Sequence, residues 1–224
     1  MKQMLMRSNL KEKRKSTGES IKKVFTGDEK MAELKVLIEG YARKENNIEV
    51  ASPSTVLIED SGLKILVDPG TNKKLLLEAL EKEGLEPEDI DLIFVTHYHL
   101  DHVLNIKLFP DKNVLDGDII YRDDKEIGFS GKIPNTNIKI ISTPGHAHEH
   151  VCLLVETEKG KIVIAGDLWW WTDKEKQKTD YRSLMNHEDP YVKDKTALRN
   201  SRKKILEIAD YIIPGHGKMF EVKK

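Results

Sequence analysis

Cysteine is almost missing from this 224-residue chain. Cys152 stands alone, so no intrachain disulfide can form, in keeping with a reducing compartment. Long apolar runs are missing as well: none approaches the roughly 18 residues that a bilayer crossing requires, and the first residues lack the apolar core of a secretory signal. A cytoplasmic location without a membrane partner is therefore expected. Nor does one sign of charge dominate. With 37 basic and 38 acidic residues the formal net charge is -1, which supplies no global field for gripping nucleic acid or an anionic surface. These absences leave a small molecule as the expected partner; a local basic patch for nucleic acid and pairing as a homodimer stay open.

The residues present suit one domain with a sizeable core. Charged residues make up 33% of the chain, with lysine dominating the basic ones, a composition suited to surface ion-pair networks in a heat-adapted protein. Cys152 lies in the apolar run Val151-Cys152-Leu153-Leu154-Val155 and reads as a buried small hydrophobe.

Residues 1–30 differ from the rest. Lys2, Arg7, Lys11, Lys13, Arg14, Lys15, Lys22 and Lys23 alternate with polar residues and follow no sustained apolar period, the pattern of a disordered basic tail. An extension outside the domain, a misplaced start at Met1 with Met31 as the true one, or a nucleic-acid-binding arm would each account for it. Residues 31–224 read as the folded domain. Strands are predicted over Leu34 to Tyr41, Ser54 to Glu59 and Leu63 to Val67, the last two joined by an Asp60-Ser61-Gly62 turn. Asn72 is placed to cap a helix over Lys73 to Glu83 that stops at Gly84. A short buried strand, Asp91 to Thr96, follows. Further strands are predicted over Ile138 to Ser142, Val151 to Glu156, Lys161 to Ala165 and Tyr211 to Ile213. A polar helical stretch follows the third of the second-half strands, and then a helix from Lys193 to Ala209 with Ala197, Ser201, Ile205 and Ile208 on one side. Hairpin-linked strands with helices in both halves indicate an α+β fold, two sheets face to face with helices outside.

The chemistry concentrates at strand ends. Thr96-His97-Tyr98-His99-Leu100-Asp101-His102 sets four metal-ligand side chains within six residues directly after a strand, and imidazole and carboxylate ligands suit zinc, iron or manganese. Thr143-Pro144-Gly145-His146, Ala165-Gly166-Asp167 and Pro214-Gly215-His216-Gly217 each follow another predicted strand in a glycine context, where the backbone can turn sharply and approach a neighbour closely. Strands running to one rim would bring seven ligands together.

These motifs, in this order from about Met31 onward, resemble the metallo-β-lactamase superfamily. The segment from Asn200-Ser201-Arg202-Lys203-Lys204-Ile205 through Gly217 is similar to its compact members of the metallo-β-lactamase domain-containing protein 1 type. The resemblance implies a four-layer αββα sandwich with a metal site on one edge. It assigns His97, His99 and His146 to a first metal and Asp101, His102 and His216 to a second, with Asp167 bridging them. Asp68 of Val67-Asp68-Pro69-Gly70 resembles a buried aspartate that orients a ligand histidine; a turn cap is the plainer alternative. His148 and His150 are expected beside the ligands and not among them. Of Trp169-Trp170-Trp171, Trp169 and Trp170 are candidates for a substrate wall or stacking platform.

The implied cofactors are two divalent ions, Zn2+ in the first place with Mn2+ or Fe as substitutes. Two such ions about 3.5–4 Å apart can share a water, lower its pKa and polarise the oxygen under attack, so the implied activity is hydrolysis of an ester, thioester or phosphodiester by a metal-bridging hydroxide. Asp101 is the candidate that orients this nucleophile and relays its proton. The sequence departs from some branches: no cysteine lies near Asp167 or the metal loop, and Asn105 stands where thioesterase relatives usually keep glycine. Two alternatives remain, a mononuclear iron persulfide dioxygenase and a phosphodiesterase acting on RNA or single-stranded nucleic acid. The second is suggested by the basic tail and by Arg199, Arg202, Lys203 and Lys204, which equally fit a solvated helix face.

Overall fold

The computed structural model describes residues 31–223, and the tail expected over 1–30 lies outside the described residues. The chain runs through β1 (Glu33–Ile38), a hairpin of β2 (Tyr41–Glu45) and β3 (Ile48–Ser52), β4 (Thr55–Asp60), β5 (Leu63–Val67), helix α1 (Lys73–Lys82) and β6 (Leu92–Phe94). The short helix α2 (Leu100–Val103) precedes β7 (Asn113–Leu115), β8 (Ile119–Arg122) and β9 (Lys125–Gly128). The second half holds β10 (Lys139–Ser142), β11 (Val151–Thr157), β12 (Gly160–Ile164), α3 (Tyr181–Met185), α4 (Lys195–Ile208), β13 (Tyr211–Ile213) and β14 (Phe220–Glu221). One sheet has the order β1-β4-β5-β6-β7-β8-β9 and the other β10-β11-β12-β13-β14, with β2 and β3 paired apart from both.

Period-two alternation builds the layers. Val56, Ile58, Ile65 and Val67 of the first sheet meet Val151, Leu153, Val155, Ile162 and Ile164 of the second in one buried cluster between the sheets. Their chain neighbours Leu57 and Leu66 turn outward onto Leu76, Ala79 and Leu80 of α1. Cys152, Leu154 and Val163 likewise face out, against Leu198, Ile205 and Leu206 of α4. Helix, sheet, sheet, helix is thus the layer order. Among the described residues no helix is long and apolar enough to cross a membrane.

Strand direction brings the ligand-bearing loops to one edge. β5 and β6 are parallel, as are β12 and β13. β10 is antiparallel to β11, which is antiparallel to β12, so β10 points the same way as β12. The loops that leave β5, β6, β10, β12 and β13 carry Asp68, His97, His146, Asp167 and His216 in turn.

Several sequence expectations need correction. The strand expected over Leu34 to Tyr41 ends at Ile38, and Tyr41 begins a separate hairpin. The break falls at Gly40, which lies so close to the ligand loop that an added Cβ would sit 2.1 Å from the Gly215 carbonyl oxygen. The polar helical stretch expected between β12 and α4 is helical only at the 3-10 turn Gly166–Leu168 and over the five residues of α3, with irregular chain between them. The buried face of α4 is Leu198, Ser201, Arg202, Ile205 and Leu206, because Arg202 turns inward to donate from Nε to the Leu168 carbonyl at 2.8 Å. The β2–β3 hairpin and the strands β7, β8 and β9 were not expected.

Two predictions follow from this packing. Gly40→Ala, by overpacking against backbone, should cost about 1–3 kcal/mol, read as a lower denaturant midpoint at unchanged m-value. Burial pushes the Cys152 thiol up to about 12, so the native protein should resist a disulfide reagent at neutral pH and react with one equivalent once unfolded; rapid native modification would contradict the buried assignment.

Candidate metal centre

The loop after β6 is fixed from below before it presents any ligand. Asp68 accepts the Thr96 backbone N–H at Oδ1 and the Thr96 hydroxyl at Oδ2, both at 2.8 Å. Its Oδ2 also faces His102 Nδ1 at 2.9 Å. Asp68 is buried and adopts the left-handed region at φ 48°, a conformation tolerated because these bonds over-determine it. Asn105 closes the same unit, donating from Nδ2 to the Pro69 carbonyl at 3.1 Å while its backbone N–H donates to Gly70 at 2.9 Å. Tyr98, between two ligand histidines, points away from them and donates its hydroxyl to Asp116, which also accepts from Tyr121 at 3.0 Å.

Two groups of donor atoms result. His97, His99, His146 and Asp167 form one and Asp101, His102 and His216 the other, with the donor atoms of each within 4.8 Å of one another. Asp167 stands between them. Its Oδ2 lies 3.3 Å from His146 Nε2 and 3.8 Å from His97 Nε2, and its Oδ1 lies 3.4 Å from His102 Nε2 and 3.7 Å from His216 Nε2. Asp101 Oδ2 is 3.3 Å from His216 Nε2. Gly215 makes the reach of Asp167 feasible, since a Cβ there would fall 1.8 Å from Asp167 Oδ1.

In four of the five histidines the other ring nitrogen is already engaged, that of His102 by Asp68. His146 Nδ1 faces Asp189 Oδ2 at 2.8 Å, and His216 Nδ1 faces the Tyr41 and Ser52 carbonyl oxygens at 3.0 and 3.1 Å. His97 Nδ1 faces the Thr96 hydroxyl at 3.0 Å. With Nδ1 bound to an acceptor, Nε2 is the nitrogen left to bind a cation. His97 Nε2, His102 Nε2 and Asp167 Oδ1 are buried without a hydrogen-bond partner; such groups are costly to bury unless something charged is meant to meet them. The donor set fits two divalent cations.

Electrostatics agree with that fit. Burial drives His97 well below its ordinary value, aided by His102, so it stays neutral. Burial alone would raise the Asp167 carboxyl, but His102 and His216 outweigh it and hold Asp167 well below the usual carboxylate range. Burial would likewise lower His102, yet Asp167 and Asp68 on either side raise it well above an ordinary histidine. A site that holds a proton this firmly between carboxylates is one that favours positive charge.

A cavity of about 920 Å3 opens over the cluster, lined by His99, Asp101, Asp167 and His216, by Leu100, Leu104, Trp170 and Tyr191, and by the β2–β3 hairpin. Trp170 is on this wall. Trp169 is not: it is fully buried in the core against α3 and α4, donating from Nε1 to the Leu184 carbonyl at 2.9 Å, which corrects the expectation that it meets substrate. His148 is exposed, whereas His150 is buried behind the ligands, its ring 5.1 Å from that of His97 and its Nδ1 2.9 Å from the Thr143 hydroxyl. Burial, with His146 nearby, pushes His150 down to about 3.

Asp189 and Tyr191 escaped sequence reasoning, because His187-Glu188-Asp189-Pro190 follows no strand and carries no glycine signal. Since Asp189 fixes the ring of His146, Asp189→Asn should weaken metal retention about 10- to 100-fold in competition with a chelator. Retention equal to wild type would show that the contact orients nothing.

Comparison with known proteins agrees with this geometry. A sequence-family model described as the metallo-beta-lactamase superfamily matches residues 49–136. Metallo-beta-lactamase domain-containing protein 1 of Xenopus laevis is 32% identical over 199 residues, which cover 84% of this chain and 81% of that protein. The mouse protein of the same name is 34% identical, but the match spans only 61% of its length. Among solved structures, a Thermotoga maritima protein assigned to the metallo-beta-lactamases superposes with a TM-score of 0.65 at 21% identity, over 85% of this chain and 99% of that one. A quorum-quenching N-acyl homoserine lactone lactonase superposes with a TM-score of 0.54 at 17% identity, over 84% and 92%. With its αββα layers, its edge cluster of histidines and aspartates and these relatives, the chain belongs to the metallo-β-lactamase superfamily.

Proposed function

We propose that the protein is a binuclear metal-dependent hydrolase acting on an ester, thioester or phosphodiester bond of a small molecule. The observation that carries this reading is the division of donors around Asp167, one carboxylate oxygen toward each group. The second group, Asp101, His102 and His216, is what a mononuclear iron oxygenase would not need. Zinc is the first choice for such a nitrogen and oxygen set, with manganese and iron as alternatives.

His97, His99 and His146 would hold one ion and Asp101, His102 and His216 the other, with Asp167 shared. When bound, such a pair supplies a water of lowered pKa and polarises the oxygen of the bond under attack. The chain's own contribution is positioning and proton transfer. Asp68, Asp189, Thr96 and the Tyr41 and Ser52 carbonyls hold four ligand histidines in a single ring orientation, so little reorganisation is needed when charge develops. Asp101 is the ligand-group carboxylate with the more open face, its side chain 29% exposed toward the cavity, against 7% for Asp167. Burial would raise the Asp101 carboxyl, but the His216 hydrogen bond and His102 keep it below its ordinary value. It is therefore ionised and able to take a proton from the attacking water and pass it to the leaving group.

A panel of an aryl ester, a thioester, a lactone and an aryl phosphodiester tests the reading. Metal-loaded protein should hydrolyse at least one class, and Asp101→Asn should lower kcat on it by about 100-fold or more. Wild-type turnover in that variant would remove Asp101 from the chemistry, and no hydrolysis of any class by metal-loaded protein would remove the hydrolase. Asp167→Ala should be the most damaging single change, abolishing most turnover while leaving the far-ultraviolet circular dichroism largely unaltered.

A further inference from the structure

Three of the eight large apolar side chains exposed among the described residues gather at one place. Leu100, Leu104 and Tyr191 are among the few large ones in the open, at 68%, 45% and 50% exposure, and all three line the cavity over the metal centre. Exposing them costs free energy that a globular protein recovers where a ligand covers them. In a chain with 33% charged residues, this placement marks an apolar site beside the reacting centre.

Its aromatic side is built with care. The rings of Trp170 and Tyr191 lie 5.7 Å apart, tilted by 34°, and so form one nearly continuous wall. Both are tied to Asp189. Trp170 Nε1 donates to Asp189 Oδ1 at 3.4 Å, and the backbone N–H of Tyr191 donates to the same oxygen at 3.0 Å. The other oxygen, Oδ2, faces the ligand His146. One buried carboxylate thereby sets the distance between the aromatic wall and the metal centre.

The charges around the cavity are matched and leave no cationic cradle. Arg43 donates from Nε to Glu45 at 2.5 Å and has Asp173 at 3.7 Å. Lys44 stands opposite Glu49 across the hairpin. Away from the metal centre itself a polyanion would find little to hold it here, whereas a flat uncharged group would find two π faces.

We propose that Trp170 and Tyr191 are specificity-determining residues that stack a planar, uncharged group of the substrate next to the bond cleaved at the metal centre. The substrate class is an aryl-bearing, neutral ester or thioester, with the ring on the aromatic wall and the bond to be cleaved at the metal centre. The inference rests on the hydrolytic reading for the word substrate, but the platform itself can be tested by binding alone.

Phenylacetamide and cyclohexylacetamide are alike in reach and neutrality and differ in the flatness of the ring. Titration of metal-loaded protein with each, followed by the change in indole emission, reports on Trp170, which alone of the three tryptophans lines the cavity. Phenylacetamide should bind roughly three- to tenfold more tightly, the range expected of an aromatic pair beyond area burial. Tyr191→Leu, at a half-exposed position, should bring the ratio near one. Phenylacetyl and cyclohexylacetyl thioesters of a common thiol should show the same preference in kcat/KM, reduced in Trp170→Leu. Equal binding of the two amides by wild type, no binding of either, or a ratio unchanged in Tyr191→Leu would overturn the platform. Selective amide binding without hydrolysis of any thioester or ester would uphold the platform and sink the hydrolytic reading; hydrolysis without selectivity would do the reverse.

Discussion

The structure depends on one buried carboxylate. Asp167 sits at the meeting point of four imidazoles, with its two oxygens turned to different pairs. Taking such a charge out of water costs several kcal/mol unless partners compensate it. Compensation here requires that chain segments far apart in sequence end at one place, which the two sheets arrange. β6 and β13 deliver His97 and His216, β10 delivers His146, and β12 delivers Asp167 itself. The sandwich core is what makes these strand ends rigid enough to serve as a frame. Its inner cluster joins side chains of both sheets, so neither set of ligands can shift without disturbing the packing that holds the other.

Around the ligands lies a layer of oxygen acceptors whose work is orientation. Asp68 and Asp189 each spend one oxygen on a histidine and the other on something else: Asp68 on the Thr96 backbone, Asp189 on Trp170 and Tyr191. The two aspartates therefore connect different things. Asp68 connects the ligand loop to the strand below it, and Asp189 connects a ligand to the wall of the cavity. His216 is held by carbonyls at the two ends of the β2–β3 hairpin, Tyr41 and Ser52, which are paired residues of that hairpin. The cover of the cavity and the ligand beneath it are thus one mechanical unit.

Much of this was legible in the sequence where a single strong signal existed. Leu63–Val67, apolar but for Lys64, and Tyr211–Ile213 stand between turn residues, and their bounds are the expected ones. Asn72 announces α1 and accepts the Leu75 N–H as an N-cap should. The seven candidate ligands stood out because they cluster after predicted strands, and the structure brings all seven into the two donor groups. Where signals were mixed, the reading failed. The β2–β3 hairpin carries Arg43, Lys44, Glu45 and Glu49 on partly exposed strands, so no apolar alternation betrays it. Arg202 looked like surface charge, yet it is buried with backbone carbonyls as its acceptors. Trp169 and Trp170 are adjacent in sequence but point to core and cavity, a choice made by tertiary packing that no local pattern encodes. Asp189 depends on a long-range contact alone.

Whether the two donor groups hold two cations is decided by counting metal per chain. Elemental analysis of protein loaded with zinc or manganese and freed of loosely bound ions should give about two equivalents, falling to no more than one when Asp101 and His216 are both replaced by alanine. A wild-type value of one equivalent that the double replacement leaves unchanged would contradict the binuclear account, and a value of zero under loading conditions would contradict the metal centre itself.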